Sequence, residues 1–541
     1  MRPRLAYLVL AFVPSVALAQ QAIVPEAVRA AANEIRAEQL ARDLAYLSSD
    51  LLLGRNTPSP GFDTAAAYIA RRLARAGLTP LGDASGFLQY YDLREQRVDT
   101  AAAYLEMDGR RWRFGDDFLM QSFAGPLSGT LPVVYVGHGW RVPEKGVDPY
   151  AGLDVRGKLL LVHGPPGAPR GVEIQRIGRV AVGATTPFAE AAQRGAAGIL
   201  FMANPGALEG WSRARGANLS RLELDPPAAS AYAAIPVTSV LVPPSVTEAL
   251  LAGGNPSGAE LIARAETGDY APSFELGKPV TVHIPLTLDA VHRPYNVVAL
   301  IEGGDRALKR EYITIASHLD GAVGRAAVNG DSIYNAADDN ASGSAATLAI
   351  AERMMSAPRP KRSLVFIWDS GEERGLWGTR QFVHQPPVPR ESIVAHFNID
   401  MIGANRAPGS PDSAAATVTG PNEVYLTGPG ALSPRADSLL TQTNESYLKL
   451  EFNRAYDRPE SEFFYPRTDA GPFLERGVLT IGFFTGLHER YHRPADEARY
   501  LDPQKMERIA RTVFAAVWAL ANADQRPRIE KAIPVTVPQY R

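Results

Sequence analysis

The sequence contains no cysteine. That absence removes thiol nucleophiles, disulfides, thiolate-ligated zinc and a lipidated-cysteine anchor. A chain without disulfides relies on core packing, or on metal, for its stability. Charge of either sign is not in surplus: 56 Lys and Arg stand against 58 Asp and Glu, a net charge of -2. No basic surface therefore argues for nucleic acid. Long apolar runs are also missing: beyond the first twenty residues nothing approaches the roughly 20 residues of a membrane span. What is present is ordinary globular composition, 45% apolar and 21% charged over 541 residues. That is too long for one ordinary domain.

The first residues read as an address. Arg2 and Arg4 precede a mostly apolar run from Leu5 to Leu18, and Ala17-Leu18-Ala19 fits a small-x-small cleavage site. Residues 1–19 are expected to be a Sec-type signal peptide, with Gln20 as the new N-terminus and a periplasmic or secreted bacterial destination. The alternative, a membrane anchor, is disfavoured because the run is short and contains Pro14.

Periodicity divides the rest. Residues 26–48 carry a helical pattern. A second helix is expected from Ser59-Pro60, an N-cap and first-turn pair, to Gly77. Residues 86–125 read as short strands and turns, closing a first segment over 20–125. From 126 to 289, short apolar runs alternate with Gly/Pro-rich connectors and leave room for one or two helices, near 187–194 and 245–251. This reads as an inserted β-rich module. From 290 to 525 the pattern is strand–loop–helix, with buried strands at 296–301, 312–316, 364–368, 393–399 and 478–484. Helices are expected at 344–355 and 503–521, the latter capped by Asp502. Such alternation argues an α/β sheet with helices on both faces. Residues 526–541 form a tail without strong pattern.

The polar residues of this last segment follow strand ends. His318 and Asp320 close one strand, Glu372 and Glu373 follow a second, Asp400 a third, and His488 and His492 a fourth. Asp338 and Asp339 lie in a loop before a helix. The carboxyl edge of an open α/β sheet is where ligands bind, so these distant loops converge on one rim. Imidazoles and carboxylates without thiols suit zinc, with cobalt or manganese as substitutes. Crowding Asp338, Glu373 and Asp400 needs cations to neutralise them, and two ions sharing one carboxylate would do so. Glu372, beside a ligand, is the candidate general base.

Residues 488–492 also spell H-E-x-x-H, the zinc motif of helical metalloproteases, in which Glu489 would be the base. That motif needs a helix. Gly482 and Gly486 upstream and Pro494 downstream argue against one, so His488 is expected to line the site or support its loop.

Together, S-H-L-D, A-A-D-D-N-A-S-G, S-G-E-E, N-I-D-M-I-G and L-H-E-R-Y-H-R-P-A-D resemble the co-catalytic zinc exopeptidases of clan MH. That group includes bacterial leucyl aminopeptidases, glutamate carboxypeptidase and the transferrin receptor ectodomain. The early Ser-Asp-Leu-Leu-Leu-Gly-Arg stretch, 49–55, resembles their N-terminal segment. The resemblance implies a three-layer α/β/α domain with a mixed central sheet, and two zinc ions per chain. It puts His318 and Asp400 on one ion and Glu373 and His492 on the other, with Asp338 bridging. It makes Asp320 the orienting partner of His318, Asp339 a turn residue, and Tyr491 a donor to the oxyanion. Gly157-Lys158-Leu159, residues 191–198 and Ile235-Pro236-Val237 resemble a protease-associated domain in the insert. One departure stands out: Thr468-Asp469-Ala470 replaces the family's Ser-Asp-His, which bears on substrate preference.

The implied activity is hydrolysis of terminal peptide bonds, with Glu372 taking the proton of water acidified by zinc. An aminopeptidase is expected. A carboxypeptidase, a glutaminyl cyclase with one zinc, and a non-catalytic receptor-like protein are the alternatives. Peptides are the expected partners, and oligomeric state is left open.

Overall fold

A computed structural model describes residues 23–164, 184–226, 237–321, 327–406, 418–458 and 468–533. The signal segment 1–19, Ile235, Pro236, Arg467 and the end of the tail lie outside the described residues.

The main domain is built on a mixed sheet. Its central strands are Tyr295–Ile301, Ser363–Asp369, Tyr312–His318, Ile393–Ile399 and Leu479–Phe484, in that spatial order. Tyr312–His318 runs parallel to both neighbours, and Ile393–Ile399 parallel to Leu479–Phe484. Tyr295–Ile301 pairs antiparallel at one side and Glu423–Thr427 at the other. Every residue of Ser363–Asp369 and of Ile393–Ile399 is buried. This is why they read as continuous apolar runs: helices cover both faces.

One face packs against helices Ala37–Leu47, Pro60–Ala76, Gly343–Met354 and Pro503–Asn522. The other carries Trp377–His384 and Ala470–Glu475, with Phe382 and Phe473 against Val298, Ala316, Val365 and Ile367. The result is the expected three-layer α/β/α domain. Its start and stop signals act as read: Ser59 accepts from Phe62 N, Pro60–Ala76 ends at Gly77, and Asp502 accepts from the amides of Gln504 and Lys505. Gly343–Met354 is almost wholly buried. Its small residues, Ala345, Ala346, Ala349 and Ala351, let it sit between the sheet and Pro503–Asn522.

Strands before residue 126 pair with strands between 220 and 292, across the expected boundary. Asp92–Val98 pairs with Ser220–Asp225 and Leu286–His292, Tyr104–Met107 with Val280–Ile284, and Leu119–Ser122 with Ser239–Val242. The region 126–289 is also less purely β than expected. Val133–Tyr135, Leu159–His163, Gly198–Met202 and Ser239–Val242 form a parallel set. Beside the two expected helices, Pro187–Arg194 and Pro244–Leu250, it contains Pro205–Glu209, Trp211–Ala214 and Gly258–Thr267. Its core is separate from the main one. Among the described residues no helix is long and apolar enough to cross a membrane.

Candidate metal centre

The carboxyl ends of the parallel strands bring five side chains together. His318 ends Tyr312–His318, and Asp400 follows Ile393–Ile399. Glu373 lies in the short turn Glu372–Arg374 after Ser363–Asp369, and His492 in the loop after Leu479–Phe484. The fifth is Asp339. The Nε2 of His318 stands 3.2 Å from Asp339 Oδ1 and 3.4 Å from Asp400 Oδ1. The Nε2 of His492 stands 3.1 Å from Asp339 Oδ2 and 3.0 Å from Glu373 Oε2. Ligand atoms of His318, Asp339 and Asp400 fall within 4.8 Å of one another, and so do those of Asp339, Glu373 and His492.

Asp339, and not the expected Asp338, faces both imidazoles. Asp338 does not reach the cluster. It accepts from Gly403 N at 2.7 Å through Oδ1 and faces His488 Nε2 at 3.3 Å through Oδ2. The segment Ala337–Ser342 is not a regular helical turn: Asp339 has φ -109° and ψ 83°, and Asn340 φ -137° and ψ 46°. The turn therefore aims two adjacent carboxylates at different partners, and Asp339, expected only to shape it, is the one aimed at the rim. Residues 488–492 form no helix. His488 faces Asp338 and Asp496, while His492 faces Asp339 and Glu373. The helical-zincin arrangement is thus absent and Glu489 is an exposed side chain, while His488 supports the loop.

Asp320 acts on His318 in a different way from the one expected. His318 Nδ1 donates to the backbone carbonyl of Asp320 at 3.1 Å, whereas the carboxylate is 3.9 Å away. That donation leaves the Nε2 lone pair for a ligand. The Asp320 carboxylate instead accepts from Glu372 N and Glu373 N, at 3.2 and 3.4 Å, and so fixes the turn carrying both glutamates. Asp496 was not singled out from the sequence, although it ends the R-P-A-D run. It accepts from the amides of Asp338 and Asp339 and holds the other ligand loop.

The electrostatics are those of a cation site. Burial pushes Glu373 up to about 8, and Asp339 beside it adds repulsion. Burial likewise raises Asp400, and raises Glu372 well above the usual carboxylate range against the pull of His318. Burial would depress His318, but Asp400 and Asp339 outweigh it. Burial would also depress His492, yet Asp339 and Glu373 lift it to about 10. Asp339 is held below its usual range by the two imidazoles despite its burial. His318 Nε2, Asp400 Oδ1 and Glu373 Oε1 are buried without a hydrogen-bond partner. Lone pairs left this way by imidazole and carboxylate groups fit a divalent ion of the zinc type.

A cleft opens beside the cluster, lined by Asp339, Glu372, Asp400, Thr468, Phe484 and Tyr491 among others. The Tyr491 ring stacks on His492 at 3.7 Å.

Residues 296–517 match the model of peptidase family M28. Leupeptin-inactivating enzyme 1 of Streptomyces exfoliatus is 26% identical over 274 residues, covering 45% of this chain and 53% of that protein. A probable leucine aminopeptidase of Trichophyton verrucosum is 24% identical over 220 residues, covering 39% and 54%. The chain thus spans about half the length of the curated relatives it matches. The solved aminopeptidase from Aneurinibacillus sp. strain AM-1 shares the fold, with a TM-score of 0.52 at 19% identity, over 95% of this chain and 100% of that one. The strand-end motifs, the shared fold and the family match agree for residues 296–517, and that segment is similar to peptidase family M28.

Proposed function

We propose that this chain is an exported aminopeptidase that uses two zinc ions. The observation that carries the two-ion reading is Asp339, whose two oxygens face different imidazoles, each with a further carboxylate of its own. His318 and Asp400 would hold one ion, Glu373 and His492 the other, and Asp339 both. When bound, such ions acidify water and polarise a carbonyl oxygen.

The chain's own groups do the rest. Glu372 lines the cleft with Asp339 and Asp400. It takes the proton of the attacking water and returns it to the leaving amine. Tyr491, on the cleft wall, donates its hydroxyl to the developing oxyanion. Asp320 and Asp496 keep the ligand loops in register through backbone amides.

The choice of chain end rests on the cleft's charges. Among the described residues lining it there are acids but no lysine or arginine. A terminal carboxylate would find no lysine or arginine there to pair with. Residues 1–19 support export. The test is hydrolysis of aminoacyl chromogenic amides before and after chelation. Release of N-terminal residues that stops with chelation supports the reading, and cleavage confined to C-terminal residues favours a carboxypeptidase. Cyclisation of N-terminal glutamine without hydrolysis would mark a glutaminyl cyclase.

A further inference from the structure

Behind the metal centre lies a buried cation that the mechanism does not use. Arg55 is fully buried. Its Nε donates to Leu319 O at 2.9 Å, its Nη1 to Asn335 O at 2.9 Å and to Leu47 O, and its Nη2 to Ala336 O at 3.0 Å. Those carbonyls belong to three separate segments. Leu47 ends the helix Ala37–Leu47, Leu319 directly follows His318, and Asn335 and Ala336 lead into Asp338 and Asp339.

The backbones meet closely at this point. Gly54 has φ +77°, and a Cβ on it would stand 2.5 Å from Tyr334 O. A Cβ on Gly321 would stand 2.5 Å from Gly54 O, 2.7 Å from Ala336 Cβ and 3.5 Å from Arg55 Nη2. The contact leaves room only for glycine, so the guanidinium and two glycines lock the His318 loop to the Asp339 loop. Among the described residues Arg55 forms no ion pair, although its charge faces Asp320, Asp496 and Asp339.

We infer that Arg55 is a positioning residue for metal binding: its planar fork sets the separation between the loop of His318 and the loop of Asp339, and so the spacing of the shared site. This rests on the two-ion reading above. A lysine would keep the charge but cannot present five donors in a fixed fork to acceptors on three segments. Loss of that register lowers affinity for the metal even where the ligands themselves are intact.

The test measures zinc affinity of the full chain by competition with a fluorescent chelator, beside thermal unfolding. Arg55→Lys is expected to weaken binding of at least one zinc tenfold or more, within the ~10–100-fold range for groups that orient ligands. Arg362→Lys is the control. That arginine is equally buried and holds Glu311 at 2.7 Å and the carbonyl of Ala523, beside the start of Ser363–Asp369 and away from the rim. It is expected to lower the melting temperature with zinc affinity unchanged. If Arg55→Lys fails to fold, Gly321→Ala presses the same loops apart with Arg55 in place and is expected to weaken zinc in the same way. Unchanged zinc affinity in Arg55→Lys, or in Gly321→Ala if it must stand in, overturns the inference. So does an equal loss in Arg362→Lys. A wild-type chain that binds no zinc overturns the two-ion reading itself, and that result is told apart because it appears before any substitution.

Discussion

Asp338 and Asp339 are neighbours in the chain, yet their carboxylates serve different imidazoles. Asp339 reaches His318 and His492, and Asp338 reaches His488. The two acids should therefore fail differently. Asp339→Ala is expected to reduce bound zinc and to lower kcat by three orders of magnitude or more. Asp338→Ala leaves Gly403 N and His488 without their partner, at a cost of about 1–3 kcal/mol in stability, and retains its metal. Elemental analysis and thermal unfolding of the two variants separate these outcomes.

Glu372 lies outside both ligand groups but on the cleft. Glu372→Gln should keep both metals and lose about 10²–10⁴ in kcat, the usual span for a general base. Glu489→Gln, at an exposed position, should change neither. Comparing kcat at fixed metal content checks both statements.

His396 gives a pH dependence separate from the metal ligands. It is fully buried, stacks on Phe473 at 3.7 Å, and its Nδ1 lies 2.9 Å from Thr314 Oγ1. Burial lowers it from 6.5 to about 3. Between those values the unfolded chain holds a proton that the native chain lacks, so stability rises with pH there. It is complete above 6.5 and falls toward pH 3 by about 1.4 kcal/mol per unit. His396→Leu should flatten this limb. Denaturant unfolding of both proteins in chelator, from pH 7 to pH 4, measures it.

Much of this architecture is legible in the sequence because its signals are local. Ser59-Pro60, Asp502 and the buried strands 364–368 and 393–399 declare themselves through caps and continuous apolar runs. The rim residues His318, Glu373, Asp400 and His492 follow from strand ends. The choice of Asp339 over Asp338 does not, because a one-residue distinction inside an irregular turn leaves no periodic trace. Residues 86–125 read as short strands, but the partners of Asp92–Val98 do not follow from the sequence, because they lie at 220–225 and 286–292, a non-local pairing. Asp496 and Arg55 act through backbone amides and carbonyls, which side-chain patterns do not record.

The central claim is that Asp339 is shared between two metal ions. Metal content per chain, measured by elemental analysis on wild type and on Asp339→Ala alongside hydrolysis of an aminoacyl chromogenic amide, tests it most directly. The account predicts two zinc ions in the wild type, and a loss of zinc together with activity in the variant. Two retained ions in Asp339→Ala, or a fully active wild type with one or none, would contradict it.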